Sequence, residues 1–165
     1  MFEAELSSSI SRIRRGVCRP PWVPHDRHLP GTVNGASNLI AAGVDGSFFQ
    51  LTVVEEGALR LLQLIQELYR TRHRAKETSM LLASVVGGVP ARERDPTTAH
   101  INGDALAPVV ELGATWLGDV MTKLDSTARE GFIALARRTV KPTGGEDVCE
   151  AVMVWLDGLL NDAVL

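Results

Sequence analysis

The stretch ALRLLQLIQELYR, residues Ala58–Arg70, carries the strongest helical pattern in the chain and decides how the rest is interpreted. Its apolar residues recur every three or four positions and its polar residues occupy the opposite side, as in an amphipathic helix. No proline or glycine interrupts the chain from Ala58 to Val86. The pattern therefore predicts a long helix over residues 54–86, either continuous or broken near Thr71–His73.

Apolar residues at helical spacing predict further helices on both sides of this segment. A first helix is expected over residues 2–15, and three more are expected within residues 104–164. Asp104 is the expected cap of the first of these three, while Thr127 with Glu130 and Thr143 with Glu146 have capping-box spacing for the other two. The sequence thus predicts an all-α fold, a single-domain helical bundle of five to six helices over residues 1–165.

A long segment rich in proline and glycine, residues 18–50, separates the first predicted helix from the second. Connections of this length are uncommon in small domains and usually carry function or lack regular structure. We expect an extended arm, with a short helix near 37–43 and a short strand near 47–54 as local elements. Trp22, His25 and His28 make it a predicted interaction loop.

The charge of the protein is unevenly distributed along its 165 residues. Residues 1–76 carry ten Lys or Arg and seven acids, a balance of +3, and residues 77–165 carry seven and thirteen, a balance of −6, which together give the net −3. Such asymmetry can steer one surface of a molecule onto another. Residues 143–165 contain five acids and no Lys or Arg, so we expect this C-terminal helix to meet a basic surface.

Two cysteines in a chain of this length do not form a disulfide framework. The first residues lack the apolar core of a signal peptide, and no stretch approaches the roughly 20 apolar residues of a membrane span. These features predict a cytoplasmic protein that does not enter a membrane.

The residues of common catalytic sites are missing from the sequence. No GxSxG, HExxH, GxxxxGK[ST] or GxGxxG motif occurs. Cys18, His25, Asp26 and His28 could ligate a metal or supply a nucleophile and a base, but their spacing matches no established ligand set. We therefore expect no enzyme activity, no metal and no cofactor, and we keep a small enzyme that uses the 18–28 loop as an alternative.

Two basic clusters are candidates for contacts with phosphate groups. One is formed in the first predicted helix and the other at residues 70–76; their members are Arg12, Arg14, Arg15, Arg70, Arg72, Arg74 and Lys76. Positive side chains bind nucleic acid chiefly through its phosphates. The negative net charge and the single tyrosine weigh against a nucleic-acid-binding domain, so we keep this function as an alternative.

The segment Leu61–Arg74, LLQLIQELYRTRHR, followed by Asp95-Pro96-Thr97-Thr98-Ala99, resembles part of the coat proteins of rod-shaped plant viruses. Val17, Arg19-Pro20 and Arg27 recur in the same order. The resemblance implies a helical subunit in which Arg72 and Arg74 contact RNA. It covers about a quarter of the chain, and the shortened N-terminal helices and the missing arginine pair of the following helix depart from the family, so we do not assign the chain to it.

The sequence as a whole favours binding over catalysis. We predict a non-enzymatic α-helical interaction and assembly module that acts through protein–protein contacts, either with itself as a homo-oligomer or with another protein. A coat-like structural subunit that contacts nucleic acid through the basic clusters is the first alternative. The partner, the pathway and the size of the oligomer do not follow from the sequence.

Overall fold

The computed structural model describes residues 9–16, 29–33, 39–71, 101, 103–142 and 144–161. Over these ranges the chain forms an antiparallel sheet of three strands, β1–β2–β3, followed by four α-helices. The strands are β1 (Ile10–Arg15), β2 (Leu39–Gly43) and β3 (Phe48–Leu51). The helices are α1 (Glu56–Arg70), α2 (Ala107–Lys123), α3 (Ser126–Val140) and α4 (Val148–Asn161).

The prediction of an all-α helical bundle of five to six helices is wrong, because the N-terminal third forms a sheet. The described part of the predicted helix over residues 2–15 is β1, and that of the short helix near 37–43 is β2. β2 pairs with β1 on one side and β3 on the other, so residues 39–51 are not an extended arm. The partners of β1 lie more than 20 residues away, and a local apolar pattern carries no information about such pairing.

The strand predicted near residues 47–54 is present as β3, which β2 reaches through a tight turn. The Gly43 N–H donates to the Ser47 carbonyl at 2.7 Å. Asp45 Oδ1 accepts from the Ser47 N–H at 3.0 Å and from its hydroxyl at 2.6 Å. Gly46 has a φ of +88°, which glycine adopts without strain. These contacts fix the length of the turn and with it the register of β2 against β3.

The helices surround one apolar core, and its members among the described residues include none from the three strands. α4 packs against α2 and α3, and α3 packs against α1. Fully buried side chains from all four helices meet there, among them Leu61, Leu117, Phe132 and Leu156. Each such side chain contributes about 1.5–3 kcal/mol through its removal from water. The stability of the fold therefore lies mainly in the helices.

The helix α1 begins two residues later than predicted, because Val54 forms an isolated bridge with Thr32. It ends at Arg70, where the Thr71 hydroxyl donates to the Glu67 carbonyl at 2.7 Å. This end coincides with the predicted break near Thr71–His73. The remainder of the predicted helix, residues 72–86, lies outside the described residues.

The three C-terminal helices lie within the predicted range, but other residues cap them. Asp104 belongs to a 3-10 turn, Gly103–Ala105, and α2 follows it. The cap of α3 is Asp125, which accepts from the Ala128 N–H at 2.8 Å. Asp147 accepts from the Cys149 N–H at 2.7 Å at the start of α4. An aspartate thus provides the acceptor at two of these three helix starts, two residues before the expected Thr127 and four residues after the expected Thr143.

No helix in the described ranges is both long and apolar enough to cross a membrane.

Candidate interaction surface

The register of the sheet divides the side chains of β1 between two faces. Arg12 lies opposite Ala42, which lies opposite Phe48, and Arg14 lies opposite Ile40. Opposed residues of antiparallel strands point to the same side, and successive residues alternate. Two arginines and a phenylalanine therefore share one face. We call it the arginine face and define it by Arg12, Arg14, Ile40, Ala42, Phe48 and Gln50.

The arginine face presents apolar and positively charged groups to solvent. The Phe48 side chain is 73% exposed. Arg12 and Arg14 are exposed, and their guanidinium groups make no ion pair or hydrogen bond with the described residues. Burial of an exposed phenylalanine would contribute roughly 1.5–3 kcal/mol of stabilising free energy. The face therefore gains free energy when an apolar and negatively charged surface covers it.

The opposite face of the sheet carries Ile13 and Arg15 in line with Ala41 and Leu39. Ala41 is fully buried, whereas Ile13 is 53% exposed. Arg15, like the other two arginines of β1, makes no side-chain hydrogen bond or ion pair within the described ranges. Within the described ranges β1 is an edge strand of the sheet, and arginines on an edge also discourage pairing between sheets. That protective role does not explain the exposed apolar residues beside the arginines.

Local hydrogen bonds hold β1 in place despite its exposure. The register shifts between Ile10 and Arg12, which leaves Ser11 as the extra residue of a bulge. The Ser11 hydroxyl donates to the Ala42 carbonyl at 2.9 Å. The Val44 N–H donates to the Ser9 carbonyl at 2.9 Å just beyond the strand. A bulge bends and twists an edge strand and re-aims its side chains, so the positions of the arginines follow from this irregularity.

A short segment, residues 29–33, connects the sheet to the helices. The Trp155 indole N–H donates to the Pro30 carbonyl at 2.7 Å. Leu29 packs so closely on α4 that a Cβ at Gly158 would lie 3.0 Å from its side chain. On the other side, the Val33 N–H donates to the Val53 carbonyl at 3.0 Å. The sheet is therefore anchored to the core at one end, while its arginine face stays outside it.

The predicted site residues lie in the sheet, in α1 and in segments that the structure does not describe. Arg12, Arg14 and Arg15 lie on β1 rather than on a helix, and Arg70 lies in the last turn of α1. Among the residues that the structure describes, no contact joins Arg12, Arg14 or Arg15 to Arg70. The others lie outside the described residues: Trp22, His25, His28, Arg72, Arg74 and Lys76, together with Cys18 and Asp26.

The described residues contain no group of three or more His, Cys, Asp or Glu side chains that could hold a metal ion. Cys149 forms no disulfide. Burial raises the pKa of its thiol, and the nearby Asp147 carboxylate raises it further by its charge and by a hydrogen bond. Since the thiolate is the reactive form of cysteine, burial and the Asp147 carboxylate both make the Cys149 thiol less reactive.

The outer side of α4 carries the charge opposite to that of the arginine face. Val154 is 65% exposed, although its neighbours Met153 and Trp155 are buried. Glu150, one turn earlier, is exposed and makes no ion pair within the described ranges. Asp147 precedes both on the same side of the helix. We call these three residues the acidic strip: Asp147, Glu150 and Val154.

No protein-family model matches the chain, and neither a curated protein nor a solved structure is significantly similar to it.

Phe48 and Val154 were not among the binding residues predicted from the sequence. A signal for Phe48 was present, because two consecutive phenylalanines in a strand must point to opposite faces. One of them is therefore outside any single buried face. Val154 interrupts the polar side of α4 between Glu150 and Asp157, and that interruption was also visible in the sequence.

Proposed function

We propose that the protein is a non-enzymatic interaction module that assembles with itself through the sheet. One observation carries the proposal: an exposed phenylalanine and two exposed arginines, which form no ion pair with the described residues, share one face of the sheet. A domain normally covers the apolar face of a sheet with another layer. A second protein molecule can supply that layer here. The free Cys149 thiol agrees with a reducing, cytoplasmic location.

Sedimentation velocity over a range of protein concentrations tests this function. We expect a sedimentation coefficient that rises with concentration for the natural protein. Phe48→Ser should weaken the association about tenfold or more, because it removes apolar area from the contact. Leu112→Ser is the matched control, since Leu112 is an exposed apolar residue of α2 outside the sheet. A natural protein that stays monomeric at every concentration would reject self-assembly.

Binding of single-stranded nucleic acid is the second candidate, and the same face favours it. Exposed aromatic rings on a sheet stack with bases, and neighbouring arginines pair with phosphates. Phe48, Arg12 and Arg14 have this arrangement. Fluorescence anisotropy with a labelled single-stranded oligonucleotide would test it. The candidate requires binding that weakens with salt and is lost in Phe48→Ser; equal binding by both proteins would reject it.

A further inference from the structure

We infer that the arginine face is covered by the acidic strip of a second copy of this chain, in a head-to-tail contact. This inference rests on the proposed self-assembly and names its second surface. The two surfaces carry opposite charges. The arginine face contributes the guanidinium groups of Arg12 and Arg14, and the strip contributes the carboxylates of Asp147 and Glu150.

Each surface also combines its charges with one exposed apolar side chain. Phe48 stands out from the arginine face and Val154 from the acidic strip, and both are more than 60% exposed. A purely electrostatic contact between exposed charges is weak. Burial of an aromatic ring against a valine adds a contribution that salt does not remove. The two side chains thus supply the apolar centre of a contact whose rim is charged.

The spacings on both surfaces are between about 6 and 10 Å. Arg12 and Arg14 are separated by about 6.8 Å along the strand, and Phe48 lies two strands away, about 9.6 Å from Arg12. Glu150 and Val154 are one turn apart, about 6 Å along the helix. A helix laid on this face with Val154 against Phe48 therefore brings Glu150 towards the arginines. The small Ala42 lies between Arg12 and Phe48 and leaves room for the helix.

Among the described residues, the same contact does not form within one molecule. The side chains of Arg12 and Arg14 make no ion pair with the described residues, and those residues include the acidic strip. The chain thus leaves both surfaces unpaired with one another. Because the two surfaces differ, a contact between copies is heterologous and repeats from copy to copy. Such contacts give closed rings or open filaments rather than a simple dimer.

Charge reversal on each surface, measured by light scattering after size exclusion, tests the inference. Glu150→Arg and Arg14→Glu should each weaken the association of the full chain about tenfold, since each replaces attraction by repulsion. A 1:1 mixture of the two variants should regain the mass of the natural protein, because each reversed surface then meets its complement. Glu111→Arg is the matched control; it reverses an exposed acid of α2 outside the strip and should leave the mass unchanged.

The outcomes separate the inference from the proposed function. Association that survives Glu150→Arg would overturn the acidic strip as the occupant while leaving self-assembly in place. Loss of association in both variants without recovery in the mixture would show that these two groups do not meet. A natural protein that never associates would overturn both proposals. Recovered mass that disappears on nuclease treatment would assign the face to nucleic acid instead.

Discussion

Trp155 links the helical core to the segment that leads into the sheet. Its side chain is 3% exposed and belongs to the buried side of α4. Its indole N–H also donates to the Pro30 carbonyl. We expect Trp155→Ala to lower the free energy of unfolding by roughly 3–5 kcal/mol. Trp155→Phe should cost less, because it keeps an aromatic ring and removes the hydrogen bond. Urea melts of both variants check this, and a loss below about 1 kcal/mol for alanine would contradict it.

Gly113 has a backbone conformation that other residues rarely adopt. It lies inside α2 with φ +71° and ψ −176°, which kinks the helix. We expect Gly113→Ala to destabilise the protein by about 1–3 kcal/mol because the strain falls on the backbone. Gly118→Ala is the control in the same helix, where a Cβ meets nothing within 4 Å. It should stabilise by about 0.5–1 kcal/mol. Equal thermal shifts of the two variants would contradict the kink.

Cys149 should lose its proton only at alkaline pH. Burial and then the charge and hydrogen bond of Asp147 raise the pKa of its thiol in the folded state. The protonated form is thus favoured by folding, and this contribution to stability is lost as the pH rises above the ordinary thiol pKa. We expect slow alkylation of Cys149 near neutral pH and faster alkylation in Asp147→Asn. Iodoacetamide labelling followed by mass spectrometry checks this, with slower labelling of the variant as the contradictory result.

At the scale of elements, the helices were more predictable than the sheet. Ala58, Leu61, Ile65 and Leu68 repeat at helical spacing and are all buried on α1. In that case the local pattern and the tertiary packing agree. β1 could not be recognised in the same way, because Ile10 and Ile13 have a spacing that also suits a helix. The partner strand that decides its structure begins at Leu39, and its pairing depends on a turn and a bulge rather than on local pattern.

The candidate surface was predicted only in part for the same reason. Arg12, Arg14 and Arg15 were selected as a cluster from their adjacency in sequence. Their division between two faces follows from the strand, and the juxtaposition of Arg12 with Phe48 follows from the pairing of three strands. A window around either residue contains none of this information.

The contact between α1 and α3 contains a buried polar atom, the hydroxyl of Thr139. This hydroxyl makes no hydrogen bond with the residues that the structure describes. It faces the start of α1, where a Cβ at Gly57 would lie 3.3 Å from it. We expect Thr139→Val to stabilise the protein by about 1 kcal/mol, because burial of an unpaired hydroxyl is costly. A loss of stability in urea melts would show that the hydroxyl is satisfied in solution.

At the scale of the whole molecule, the uneven charge of the sequence corresponds to two surfaces of opposite charge. The basic N-terminal part contributes the arginine face, and the acidic C-terminal part contributes the strip on α4. Attraction between exposed charges depends on ionic strength, since the Debye length falls from about 10 Å at 0.1 M salt to about 3 Å at 1 M. The apolar contact of Phe48 does not share that dependence. We therefore expect assembly that high salt weakens without abolishing.

Hydrogen–deuterium exchange at low and high protein concentration tests the central claim, that the sheet is the surface of assembly, most directly. At 0.1 M salt we predict slower exchange at high concentration in peptides that cover residues 10–15 and 39–51, because a covering layer suppresses local opening of the sheet. Peptides from α3 should exchange at the same rate at both concentrations. Exchange in the sheet that is independent of concentration, while the scattered mass rises, would contradict the claim.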